Sequence, residues 1–175
     1  VYATAPHDLA SGFWLTQRVG TPNATFRFVD AEHGWATTSY VDGAIYRTTN
    51  SGATWSQIRL GSSWDRYRVA DMDFLNDQEG WATGRRDYYD VLPPGAFIAH
   101  TTDGGQTWTE QLGAIRGGYS GRGVWFIDAQ NGWVDASPYL LRTHDGGSTW
   151  EELHPSNMPY KVLRFIDTQT GFGLA

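Results

Sequence analysis

The chain has 175 residues, a formal net charge of −6 and no cysteine. The charge balance speaks against a nucleic-acid scaffold, which needs clustered Lys and Arg to neutralise phosphates. The lack of cysteine excludes disulfides, thiolate metal sites and cysteine nucleophiles, and no apolar run approaches the ~20 residues of a membrane helix.

Val1 opens the chain with no Met and no signal-type apolar core, so a processed or excised piece is expected. In chain order, Asp8…Gly12-Phe13 is a weaker copy of a turn motif that recurs along the chain, and residues 13–19 read as the second strand of a blade whose hairpin and Asp-box are absent. Residues 26–58 then introduce two motifs. The first is Phe28-Val29-Asp30…Gly34-Trp35: Phe, an apolar residue, Asp or Asn, three residues, Gly and an aromatic. The second is Thr48-Thr49-Asn50-Ser51-Gly52-Ala53-Thr54-Trp55, between short strands at 44–47 and 56–58. Residues 69–112 repeat both, as Phe74-Leu75-Asn76…Gly80-Trp81 and Thr101-Thr102-Asp103-Gly104-Gly105-Gln106-Thr107-Trp108. Residues 122–153 repeat both again, as Phe126-Ile127-Asp128…Gly132-Trp133 and Thr143-His144-Asp145-Gly146-Gly147-Ser148-Thr149-Trp150. Residues 162–175 carry the first motif alone, as Phe165-Ile166-Asp167…Gly171-Phe172.

The fixed Asp-to-Gly spacing reads as one turn between two strands, because Asp bonds its own backbone and Gly accepts positive φ. Asp-Gly and Asn-Ser-Gly at the second motif are hairpin tips, and the Trp at fixed offset folds back over the hairpin base. Each full repeat therefore holds four strands. Its period, Gly34 to Gly80 to Gly132 to Gly171, is that of a propeller blade. The fold class is all-β: a β-propeller of four-stranded antiparallel blades with three complete blades and partial terminal ones, the first being residues 1–25. One blade cannot bury both faces, so neighbours must stack.

The second motif is similar to the Asp-box, or BNR repeat. Followed after Phe-apolar-Asp-x-x-x-Gly-Trp, it resembles the blades of photosystem II stability and assembly factors and their bacterial relatives, over about residues 26–175. The resemblance implies a propeller whose Asp-boxes are structural hairpins far from any site. On that reading Asn50, Gly52, Trp55, Asp103, Gly105, Trp108, Asp145, Gly147 and Trp150 are structural. Several accounts fit the incomplete ring. The chain is a fragment of a larger ring, lacks a segment near Gly20, or is completed by another copy. In a fourth account its N-terminal strands complete the C-terminal half-blade.

Up-and-down topology puts both repeated turns on one end of the ring. The second-to-third connections and the blade crossings lie on the other. Those irregular segments hold Trp64, Arg66 and Tyr67, then Arg85, Arg86, Tyr88 and Tyr89, then Arg116 and Tyr119. Trp, Tyr and Arg are the residue types enriched in binding hot spots, and loops on a rigid scaffold carry function. These nine residues are the candidate binding face, and the same segments serve equally as solvated Arg–Asp pairs and packing aromatics. Twelve of the thirteen basic residues are Arg, which suits carboxylates and aromatic faces but also follows from genome composition or heat adaptation.

No metal or cofactor is expected. Asn50, Asp103 and Asp145 lack the alternating carboxylates of a calcium loop, and the five His are scattered without metal-ligand spacing. The glycine-rich run 117–123 lacks the Gly-Lys-Ser/Thr ending of a phosphate loop. The leading function is a non-catalytic scaffold for a protein or carbohydrate partner, located outside the cytoplasm: secreted, periplasmic or at the cell surface. A glycosidase of sialidase or xyloglucanase type is one alternative, and Arg85, Arg116 and Tyr88 imitate part of a sialidase set. The Phe-Arg-Ile-Pro start of sialidases is absent. A structural subunit of a surface assembly is the other alternative. No residue is assigned a catalytic role.

Overall fold

The computed structural model describes residues 2–5, 15–18, 24–38, 44–60, 66–87, 95–112, 120–136, 138–153 and 162–174. These form sixteen strands and no helix. Three sheets have four antiparallel strands each: β3 (Ala24–Phe28) to β6 (Ser56–Arg59), β7 (Arg66–Phe74) to β10 (Thr109–Leu112), and β11 (Gly123–Phe126) to β14 (Glu151–Leu153). Within them β4 is Gly34–Thr38, β5 Ala44–Thr48, β8 Gly80–Asp87, β9 Gly95–Thr101, β12 Gly132–Ala136 and β13 Tyr139–Thr143. Each sheet runs in chain order, which is a propeller blade. Two hairpins flank them, β1 (Tyr2–Ala5) with β2 (Leu15–Arg18), and β15 (Val162–Phe165) with β16 (Gly171–Leu174).

The first motif builds the turn from first to second strand. Asp30 Oδ1 accepts the amides of Glu32 and His33 at 2.7 Å, and Asn76, Asp128 and Asp167 do the same in their turns. The motif Gly is required by close approach. A Cβ on Gly34, Gly80, Gly132 or Gly171 would run into the ring of Phe28, Phe74, Phe126 or Phe165.

The second motif closes the outer hairpin. Thr48, Thr101 and Thr143 each accept through Oγ1 the amide of a glycine four residues on, at 2.8 Å. Those glycines, Gly52, Gly105 and Gly147, sit at φ of 80°, 88° and 92°, where a side chain is strained. Asp103 accepts the Thr107 amide and hydroxyl, and Asp145 accepts those of Thr149. The hairpin also bonds the Asp–Gly turn of its own blade: Ser51 to Glu32, Gly104 to Gln78 and Gly146 to Gln130, amide to carbonyl. Both turns therefore share one end of the ring, as the topology requires.

The core lies between blades. Trp35 stacks on Phe74 of the next blade with ring centroids 3.7 Å apart, Trp81 on Phe126 at 3.5 Å, and Trp133 on Phe165 at 4.0 Å. The indole N–H of Trp35 reaches on to the Gly104 carbonyl, and that of Trp81 to the Gly146 carbonyl. A side chain from the third strand covers the indole: Arg47, His100 and Arg142 in turn. The first strands β3, β7, β11 and β15 contact one another in sequence and so lie innermost.

Blade two is taller than the sequence reading had it. Its first two strands run through Arg66–Arg68 and Arg85–Asp87, which were expected in loops. Arg86 explains the difference. Its charged end is turned inward, so the strand carries a buried cation where hydrophobic patterning reads a loop.

Candidate functional site

Three strands of blade two meet at the end away from the Asp-boxes. Tyr67 on β7 and Arg86 on β8 are directly opposite in register. Both are buried, and both reach Glu110 on β10. Arg86 donates through one guanidinium nitrogen to both Glu110 carboxylate oxygens at 2.8 Å, and the Tyr67 hydroxyl donates to Oε2 at 3.0 Å. The Tyr67 ring meets Phe97 edge-on at 4.9 Å. Burial raises the Tyr67 hydroxyl above its ordinary pKa, and the neighbouring Arg86 only partly offsets this. An internally paired cation of this kind has little reach for a ligand and fixes strand ends instead.

The remaining candidates divide. Arg68 and Arg85 face each other across β7 and β8 and are both exposed. Arg66 lies at the start of β7, opposite Asp87. Trp64, Tyr88, Tyr89, Arg116 and Tyr119 lie outside the described residues. Among the described residues, β6, β8 and β10 end on the side of their sheets opposite the Asp-box hairpins.

A second cluster lies along the axis, and sequence reasoning missed it. Arg27 on β3 is 3.1 Å from Asp71 and 3.8 Å from Asp73 on β7. The two aspartates reach on to β11, where Asp71 accepts the Val124 amide at 3.3 Å and Asp73 the Phe126 amide at 2.9 Å. Burial raises the pKa of both carboxyls, against the pull of Arg27 and these amides. Arg164 on β15 stands over the Trp125 ring at 5.1 Å. Arg27, Asp73, Trp125 and Arg164 all immediately precede the motif Phe. That alignment was the available signal: one repeat position, on the innermost strand, carries charge or an indole where a core residue would be apolar.

Residues 10–116 match the sequence model described as Photosynthesis system II assembly factor YCF48. The chain belongs to this family. A solved structure described as YCF48 bound to D1 peptide is similar to it, with TM-score 0.58 and 27% identity over 74% of this chain and 38% of that one. The chain thus spans well under half the length of that YCF48. No curated protein matches it. The likeness fits the blade order seen here and identifies the chain as a BNR-type propeller of the YCF48 family. Asn50, Gly52, Trp55, Asp103, Gly105, Trp108, Asp145, Gly147 and Trp150 are built into its outer hairpins. Among the described residues no group of three or more His, Cys, Asp and Glu side chains could hold a metal ion.

Proposed function

We propose that this chain is a non-catalytic, extracytoplasmic scaffold that binds a protein partner at the end of the ring opposite its Asp-boxes. The observation that carries the reading is the YCF48 likeness, since the solved relative holds a D1 peptide. The chemistry of the end supports it. The exposed Arg68–Arg85 pair suits a carboxylate-bearing segment. The Tyr67–Arg86–Glu110 network ties three strands of blade two together. A glycan would meet the same Arg and Tyr chemistry and forms the second arm of the assay.

The first arm is fluorescence anisotropy with a labelled synthetic D1 peptide. Binding is expected, and Tyr88→Ala with Tyr89→Ala should weaken it by about 30-fold, or roughly 2 kcal/mol, with melting unchanged. Binding untouched by that double substitution would remove the loop from the site. No binding of D1 peptide, with binding on a glycan array, would replace the partner class. Fractionation of the producing cells tests the location, and recovery in the cytoplasm would refute it.

A further inference from the structure

The outer hairpins are not identical, and their differences gather at the joint between blades one and two. A cleft of about 220 Å³ opens there, lined by Arg47, Thr49, Thr54, Ser56 and Ile58 of blade one and Gln106 of blade two. At the next joint the counterpart of Ile58, counted from the box Trp, is Gln111. The Gln111 Nε2 crosses to the Gly146 carbonyl of blade three at 2.8 Å. Ile58 has no group that can make that bond, so the slot stays open.

The box of blade one also differs in polarity. It holds Asn50 where the other two hold Asp103 and Asp145. The Asn50 amide has a fixed orientation, because its Oδ1 accepts the Thr54 backbone amide at 2.9 Å and the Thr48 hydroxyl at 3.0 Å. Its Nδ2 therefore donates to Thr54 Oγ1, at 2.9 Å. In the other boxes the bond runs the opposite way: the Thr107 and Thr149 hydroxyls donate to their Asp at 2.6 Å. A hydroxyl that accepts from Asn50 keeps its own proton for a second partner. This one difference turns Thr54 into a donor on the cleft wall and takes a carboxylate away from it.

Arg47 supplies the charge. Its guanidinium stands 5.9 Å from the centroid of the Trp35 ring, and Nη2 donates to the Asp77 carbonyl at 3.3 Å. A Cβ on Gly104 would lie 2.6 Å from Arg47 Cζ, so the turn of the next blade holds the cation in place. The Arg47 Nε is buried with no hydrogen-bond partner, and no carboxylate among the described residues pairs with the guanidinium. The Asp103 carboxylate, in the box that carries Gln106, is taken up by Thr101 and Thr107.

We propose that this cleft binds a small aliphatic carboxylate, with Arg47 and the Thr54 hydroxyl on the anion and Ile58 along the carbon chain. A carboxylate carries the single charge that one arginine balances, and its oxygens accept from guanidinium and hydroxyl alike. The volume lies below the roughly 300–1,000 Å³ of sites for drug-sized ligands, and it suits a short-chain acid or one glutamate side chain. The cleft stands at the Asp-box end, so it is independent of the peptide-binding end proposed above.

Amide NMR of the full chain titrated with butyrate tests this, with isosteric butyramide as the neutral control and inorganic phosphate as the competing anion. Butyrate should shift the amides of Thr49, Thr54, Ser56 and Gln106 and saturate at millimolar concentration, and butyramide should not. Asn50→Asp and Ile58→Gln should each raise the dissociation constant at least about tenfold. Neither should lower the melting temperature, because each installs the residue that blade two already uses at that place. Arg47→Met keeps the stem over Trp35 and should remove binding. A capped Gly-Glu-Gly peptide that binds more tightly than butyrate assigns the carboxylate to the glutamate of a partner chain, and weaker binding assigns it to a free acid. The proposal is overturned by no saturable shift at these amides, by equal shifts with butyramide, by tighter binding of phosphate, or by binding indifferent to Asn50→Asp and Arg47→Met.

Discussion

Trp81 and Trp35 together measure what holds one blade to the next. Each indole is fully buried and stacked on the following blade's Phe. Replacing either with Ala leaves a cavity and should cost about 3–5 kcal/mol. Replacement with Phe is more revealing, because it keeps a stacked ring and removes the N–H donor. At position 81 the Gly146 carbonyl keeps a second donor, Gln111 Nε2 at 2.8 Å. At position 35 the Gly104 carbonyl is in a buried residue, and the Trp35 N–H at 2.9 Å is its side-chain donor among the described residues. A buried acceptor stripped of its partner costs about 1–3 kcal/mol. Trp35→Phe should therefore be less stable than Trp81→Phe by about 1 kcal/mol or more, since both lose similar volume. Urea unfolding followed by far-ultraviolet circular dichroism reads the difference without relying on tryptophan emission, and the midpoints compare directly if the slopes agree. Equal costs would show that the indole bond contributes nothing to the joint. A Phe variant as damaged as the Ala variant would show that ring stacking is not what seals it.

Asp103→Ala should cost about 1 kcal/mol, the low end for a lost hydrogen-bonded acceptor, because the carboxylate is largely solvent-screened. Burial tends to raise that carboxyl, but bonds from the Thr107 hydroxyl and amide hold it at about 2. The folded value lies below the unfolded one of about 3.9, so the contribution is complete above about pH 4 and lost as pH falls through 2. Wild type and variant should then converge in acid unfolding, and a constant gap would contradict this. Asp71→Asn has the opposite sign. Burial raises the Asp71 pKa in the fold, so ionisation costs stability once pH exceeds the unfolded value. The variant should gain on wild type between pH 4 and 7, and a relative loss over that window would refute the assignment. Glu110→Ala should cost about 3–5 kcal/mol by leaving Arg86 buried without its counter-charge. Adding Arg86→Met should restore most of that, and a double-mutant cycle showing additivity would dismiss the network.

The repeat made the fold legible. Phe-apolar-Asp-x-x-x-Gly-Trp and the Asp-box each recur with fixed offsets, and each offset corresponds to a bond now seen. The motif Gly lies under the motif Phe, and the box Thr holds the box Gly. The placement of both turns on one end followed from strand parity alone. The site was less legible, for two physical reasons. Tyr67 and Arg86 look like recognition residues by type, and their inward turn depends on Glu110, which comes 24 residues after Arg86 from another strand. No local pattern carries that pairing. The axial cluster was hidden differently: Arg27, Asp73, Trp125 and Arg164 differ in chemistry, so they do not register as a motif. Only the innermost position of their strands gives them a common role.

The indole-on-Phe joint has a consequence for how such a chain can lengthen. Trp35 belongs to one repeat and Phe74 to the next, so neither repeat owns the joint. A tandem duplication of one period therefore inserts one indole and one Phe wherever its breakpoints fall, and the new unit finds a fitting neighbour on both sides without any compensating substitution. Loss of part of a period instead strands one half of a joint. Gene-level slippage in this array is thus tolerant of whole units and intolerant of fractions, which makes ring size an easily altered character and blade architecture a conservative one.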